Sequence, residues 1–253
     1  MYLDTEPGSA APLLDYLRKM VFWSKVEPRD VTAELTVLSL VGPDTEAALT
    51  AGQALVGVDE GAPLRPDSPF LYSSSKAKAE QLVRDANRDG LETVVVRPRF
   101  VWGRGDTTLL PAIAELVRSG RFRWVGGGRH LTDTTHVDNT VEGLWLGATR
   151  APAGGVYFVT DGEPVVFRDF VTRMLATQDV TMPDKSVPAG VATAAAATAE
   201  RAWRLLKRPG PPPLTGFAVW VSSKECTLDI SRAREELAYE PVKTRDEGLA
   251  ELA

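Results

Sequence analysis

Tyr72-Ser73-Ser74-Ser75-Lys76, with Ala79-Glu80 close behind, decides how this chain is read. Asp67 or Ser68 can cap a helix there, Pro69 suits its start, and Gly90 follows its end. Leu71, Ala79, Leu82, Val83 and Ala86 form the expected inward stripe. On a helix, residues i and i+4 lie one above the other, so Tyr72 and Lys76 address one site. A free tyrosine titrates near about pH 10 and is a poor base at neutrality. An ammonium close by favours the phenolate. The phenol then takes a proton from a hydroxyl while hydride leaves the same carbon, and returns it in the reverse direction. The same spacing also describes an exposed helix with a solvated lysine, so the surroundings must choose.

Outward from this helix, strand and helix patterns alternate. Thr93–Val96 is a continuous β-branched run, the pattern of a strand covered on both faces in a parallel sheet, and Arg97-Pro98 ends it. Leu109–Arg118 reads as a helix and Phe122–Val125 as extended, followed by a glycine turn at Gly126–Gly128. Asn139 with Glu142 resembles a capping box opening a helix to Thr149. Val156–Val159 reads as a strand; Phe167–Leu175, Ala192–Leu206 and Ser231–Leu237 read as helices, with Pro209–Pro213 a rigid link. Upstream, Ala11–Trp23 has a helical period, Leu35–Val41 reads as a strand, and Asp44–Leu55 as a short helix. A seam near Gly52 divides residues 1–52 from 53–253. The alternation predicts an α/β fold.

Composition narrows the class. The 253 residues are 43% hydrophobic and 25% charged, with net charge -5, which gives no basic footprint for nucleic acid. The single Cys226 excludes a disulfide framework and fits a reducing, cytoplasmic setting; it is expected buried in a strand. His130 and His136 with one cysteine do not make up a His/Cys metal centre, so no metal is expected. No signal peptide is recognised. Val187–Ala199 is too short and alanine-rich to span a bilayer, and is read as a packed helix rather than one lying on a membrane surface.

From about Gly57 onward the chain resembles the extended short-chain dehydrogenases/reductases. It is nearest the NAD-dependent epimerase/dehydratase group and its 3β-hydroxysteroid dehydrogenase branch. The carrying residues come in order. Val58-Asp59-Glu60-Gly61-Ala62-Pro63 resembles the loop before the catalytic helix, and Tyr72 to Glu80 the YxxSKxxAE pattern. Val96-Arg97-Pro98-Arg99-Phe100-Val101-Trp102-Gly103 resembles an RPxxVYG segment. Thr135-His136-Val137-Asp138-Asn139 and the closing run from Asp229 to Leu237 with Pro241 complete the series. The resemblance implies an incomplete Rossmann-type parallel sheet with a small substrate-binding subdomain, and NAD or NADP as cofactor. It implies that Tyr72 is the general acid/base. Lys76 would tune it and hold the nicotinamide ribose, and Pro98 would border the nicotinamide ring. His136 receives no catalytic role and is read as structural.

Two departures qualify this. Nucleotide-sugar enzymes of the group carry an Arg-Asp pair where this chain has Thr132-Asp133; threonine cannot grip a diphosphate, and Arg129, three positions earlier, is the alternative source of that charge. The expected substrate is therefore a steroid-like or other apolar alcohol or ketone, with Trp102, Phe122, Trp124 and Trp145 as candidate pocket walls beside the alternative of core packing. Second, Gly52, Gly57 and Gly61 do not have the spacing of a dinucleotide-binding GxxGxxG turn. Thr45 and Thr50 are the nearest upstream hydroxyls for polarising a substrate oxygen, and neither is assigned that task. Phe22–Val31 followed by Leu38–Pro43 instead resembles a piece of the aminomethyltransferase-like folate-binding proteins. The alternative to an active oxidoreductase is thus a non-catalytic, truncated or fused remnant unable to bind the dinucleotide. A sheet lacking its first strands would expose an edge at Val94, Val95 and Val96 and favour a homodimer.

Overall fold

The computed structural model describes residues 49–253 apart from 51, 108, 208–211 and 213. The expected Ala11–Trp23 helix, Leu35–Val41 strand and folate-like segment lie outside the described residues. Half of the expected Asp44–Leu55 helix lies there too; its described residues form no α-helix, with bends at 52–53 and Leu55 opening a strand. In chain order the elements are β1 (Leu55–Val58), α1 (Leu71–Asp85), β2 (Val95–Pro98), β3 (Val101–Trp102), α2 (Leu109–Arg118), β4 (Trp124–Val125), β5 (Leu131–Thr132), β6 (Thr135–His136) and α3 (Val137–Arg150). They continue with β7 (Val156–Val159), β8 (Val165–Val166), α4 (Phe167–Ala176), β9 (Ser186–Val187), α5 (Ala189–Leu205), α6 (Gly216–Ser223), β10 (Cys226–Leu228), α7 (Ser231–Leu237) and α8 (Arg245–Ala250).

The fold is α/β with parallel pairing, as the alternation predicts. β2 and β7 run parallel from Val95–Val156 to Pro98–Val159, and every residue of both is buried. Val95 and Val96 are thus covered on both faces, although no strand pairs with the other edge of β2 among the described residues. β1, β10 and β5 form a second parallel set, with β8 antiparallel at its edge. Cys226 is buried in β10, as expected. One core gathers Val96, Tyr157, Phe158, Leu146, Leu237 and Tyr239; another gathers Phe100, Trp102, Trp124, Phe167, Phe170 and Met174.

Helix α1 departs from its expected face. Leu71 is 88% exposed and Leu82 71% exposed, while Ser73, Ala77 and Glu80 are buried. The reason is Arg97 of β2, a wholly buried cation that needs a carboxylate. Its Nε and a terminal nitrogen reach Glu80 at 2.9 and 2.6 Å, and its guanidinium lies 5.1 Å from the Phe158 ring. This two-point grip turns the polar stripe inward. The cap also differs: Phe70 is the N-cap, without a side-chain bond to the helix, while Ser68 Oγ accepts from the Phe70 amide at 3.3 Å. Gly90 stands in a later turn.

The expected capping box at Asn139 is not formed. α3 begins one turn earlier than that box requires, with His136 as N-cap accepting from the Asp138 amide through Nδ1 at 3.2 Å. Asn139 is buried and spans two segments, donating to Asp161 and to the Lys243 carbonyl and accepting from the Lys243 amide, each at 2.8 Å. Asp161 also accepts from the His136 amide at 2.6 Å, Thr134 Oγ1 at 2.6 Å and Trp102 Nε1 at 2.9 Å. One carboxylate thereby satisfies donors from three segments.

Two further ionisable groups, buried Asp133 and half-buried His130, oppose each other. Burial pushes the Asp133 carboxyl up to about 6, against the Leu228 amide and the Arg245 and Arg99 charges. Burial, with the Arg99 charge, holds the His130 imidazole down at about 4. Between 3.8 and about 6 the native state binds more protons at Asp133 than the unfolded chain, so that site makes stability fall as pH rises. Between about 4 and 6.5 the unfolded chain binds more protons at His130, so that site makes stability rise. Asp133→Asn, which keeps an acceptor for Leu228, is expected to leave only the rise: urea midpoints of the variant climb across this window more steeply than those of the parent. A flat or falling profile would refute the assignment. Glu80→Ala, which strands Arg97, is expected to cost about 3–5 kcal/mol in the same measurement.

Candidate active site

The structure brings Tyr72 and Lys76 together. Both are half-buried on α1, and the Lys76 ammonium lies 5.6 Å from the centroid of the Tyr72 ring. The first turns are held by serines bonding back to the chain, Ser74 Oγ to the Leu71 carbonyl and Ser75 Oγ to that of Tyr72, at 3.2 and 2.8 Å. Phe217 of α6 packs on the Tyr72 ring, centroids 4.8 Å apart at 36°. Behind Phe217 stands Trp220, stacked at 5.8 Å, with its indole N–H donating to the Gln53 carbonyl at 2.6 Å. The buried Arg99 guanidinium lies 5.6 Å from the Trp220 ring. An aromatic row thus runs from the interior to the candidate phenol.

Pro98 is buried at the end of β2, next to the arginine that grips α1. Helix and strand end are therefore joined by the Glu80–Arg97 bond. The sequence reading quoted both residues only as motif letters and missed their pairing. The signal was present: a glutamate one turn beyond Lys76, and an arginine closing an apolar strand, each need a partner if buried. Phe217 carried no comparable signal, because it is distant in sequence from Tyr72.

Several expected contributors do other work. Trp102 and Trp124 are core residues, each 1% exposed, with their indole N–H groups on Asp161 and the Pro183 carbonyl. Phe122 packs edge-on against Trp124, and Trp145 is 44% exposed. No shared pocket wall results. The Thr132 hydroxyl accepts from Arg99 at 3.3 Å, Asp133 accepts from the Leu228 amide at 2.7 Å, and Arg129 is exposed. Thr50 Oγ1 is used in a local turn with Gln53 and Gly52, and Thr45 lies outside the described residues.

His136, Asp138 and Glu251 place ligand atoms within 4.8 Å of one another. The Lys243 ammonium already lies 3.5 Å from Asp138 and 2.5 Å from Glu251, so a lysine neutralises these carboxylates. Clefts of about 270 and 410 Å³ open elsewhere, one beside Asp59, Glu60 and Asp229, the other beside Arg173, Arg234 and Arg245. Neither is lined by Tyr72, Lys76 or Pro98.

The residues fit one end of a nicotinamide dinucleotide. Tyr72 and Lys76 offer hydroxyl and ammonium donors for a ribose. A pyrophosphate cradle is not formed among the described residues. A Cβ on Gly103 would meet Val137 at 2.8 Å and His136 at 2.9 Å, and one on Gly128 would meet the Trp124 ring at 2.8 Å. Both glycines admit close packing within the protein rather than approach by a phosphate.

Residues 38–188 match the 3-beta hydroxysteroid dehydrogenase/isomerase family. The chain is 47% identical over 214 residues to a 4-hydroxy-2-methyl-3-oxo-4-farnesyl-3,4-dihydroquinoline-1-oxide ketoreductase of Stigmatella aurantiaca, covering 84% of this chain and 64% of that one. It is 39% identical over 207 residues to a 2-alkyl-3-oxoalkanoate reductase of Stenotrophomonas maltophilia, covering 78% and 61%. It therefore spans about three-fifths of the length of these relatives. A UDP-glucuronic acid 4-epimerase of Bacillus cereus in complex with NAD superposes with a TM-score of 0.58 at 14% identity, covering 97% of this chain and 66% of that one. A UDP-glucose 4-epimerase of Thermotoga maritima gives 0.57 at 18%, covering 96% and 66%. At these identities the likeness to the epimerases is one of fold.

Proposed function

The chain belongs to the 3-beta hydroxysteroid dehydrogenase/isomerase family, and we propose that it interconverts a ketone and a hydroxyl on an apolar, steroid-like or lipid-like substrate, with NAD or NADP as cofactor. The observation that carries this reading is the Tyr72–Lys76 pair on one half-buried helix face, with the ammonium 5.6 Å from the phenol ring. In the reducing direction Tyr72 donates its phenolic proton to the carbonyl oxygen. Lys76 stabilises the phenolate left behind. Phe217 packs against the ring. A bound nicotinamide dinucleotide supplies the hydride. The names of the two relatives, a ketoreductase and an oxoalkanoate reductase, support ketone reduction on apolar skeletons. Thr132 supports it too, since its hydroxyl is engaged by Arg99 and brings no charge to a diphosphate.

A second reading is favoured by one observation, the lack of a pyrophosphate cradle among the described residues: a non-catalytic chain that does not hold the dinucleotide. The homodimer expectation rested on an exposed edge at β2, whereas Val95 and Val96 are 1% and 2% exposed. The discriminating experiment titrates the purified chain with NADH and NADPH by calorimetry, then follows cofactor absorbance with 2-alkyl-3-oxoacids and 3-oxosteroids. The proposal expects binding and turnover, with Tyr72→Phe lowering kcat by about a hundredfold to ten-thousandfold while cofactor binding persists. Absence of cofactor binding would establish the second reading.

A further inference from the structure

Helix α5 was expected to be a packed helix, yet only Ala192 and Ala196 among its residues are buried. They meet Val219 of α6, and Glu200 accepts from the Gly216 amide at 2.8 Å. Residues 189–198 carry no charged side chain. Away from α6, Val191 is 60% exposed and Leu205 84%, with Leu206 just beyond the helix at 64%. Ala195 and Ala202 are exposed between them. Offsets of four, eleven and fourteen from Val191 fall on one face at the helical period. Arg201 lies along one side of that face, Arg204 further round on the same side, and Lys207 follows its end; all three are exposed. Among the described residues no carboxylate pairs with any of the three within 4.0 Å.

We propose that α5 docks on an anionic phospholipid surface. Val191, Leu205 and Leu206 enter the acyl boundary, and Arg201, Arg204 and Lys207 meet the headgroup phosphates along its edge. The charge pattern favours this occupant over a second copy of the chain. A parallel two-fold contact through the same face would bring its cations toward their own copies, and an antiparallel one would set them against the uncharged residues 189–198, so neither supplies an anionic partner. The chain as a whole carries -5, so a local cationic border orients it on an anionic membrane rather than simply attracting it. No helix among the described residues is long and apolar enough to cross a membrane, so the contact is superficial. The inference goes beyond the proposed reaction and does not require turnover, although α6, on which α5 packs, carries the Phe217 that covers Tyr72.

The test is co-sedimentation of the full chain with large vesicles of phosphatidylcholine alone or with roughly one-third phosphatidylglycerol. The expected result is binding to the anionic vesicles that weakens with added salt, and little binding to phosphatidylcholine. Arg201→Gln with Arg204→Gln is expected to weaken binding roughly tenfold to thirtyfold. Leu205→Glu with Leu206→Glu is expected to abolish it. Circular dichroism checks that these surface variants stay folded. A parent chain that remains in the supernatant with anionic vesicles would overturn the proposal, as would a Leu205/Leu206 variant that sediments like the parent. Light scattering showing that the leucine pair instead holds a dimer, with vesicle binding unchanged, would assign the face to a second copy.

Discussion

The bond between Glu80 and Arg97 is the constraint on which the candidate site depends. Both side chains are withdrawn from water, and each charge is tolerable only because the other meets it at two points. The buried face of α1 is otherwise Ser73 and Ala77, which offer little apolar surface to hold a helix on a sheet. The ion pair adds a directional contact with β2 that these small side chains do not supply. With it, rotation about the helix axis is fixed, and Tyr72 and Lys76, two turns and one turn before Glu80, are fixed with it.

A second carboxylate does for the loops what Glu80 does for the helix. Asp161 takes donors from the end of β3, from the chain before α3 and from α3 itself, while Asn139 carries the same network to the C-terminal segment. Gly103 and Gly248 let these segments approach closely, since a Cβ at either would strike His136. The aromatic row from Trp220 through Phe217 then closes on Tyr72 from the other direction. The phenol is thus placed by one helix whose seat is ionic and by one helix whose contact is aromatic.

Much of the framework was legible because local periodicity and burial agreed. Leu109–Arg118, Val156–Val159 and Ser231–Leu237 were read with the bounds they have. β2 was read early by two residues, because Arg97 and Pro98 look like strand breakers unless the partner of Arg97 is known. The inward stripe of α1 was read from its leucines, and the fold turned the other face in. The capping box failed for a similar reason: Asn139 has capping chemistry, but a buried aspartate 22 residues away uses its amide instead. The tryptophans were read as pocket or core, and their buried N–H partners made them core.

The sequence by itself determined that Tyr72 and Lys76 share a helix face, because a separation of four is a property of backbone geometry. Through the order of its motifs it also determined the family and the parallel α/β fold. Only the tertiary structure decided which face of α1 is buried, that Phe217 covers the phenol, and that α5 presents leucines and arginines to solvent. Those outcomes rest on pairings such as Glu80 with Arg97, 17 residues apart, or Phe217 with Tyr72. A buried charge announces that it needs a partner, but the chain's path through space determines which partner it meets.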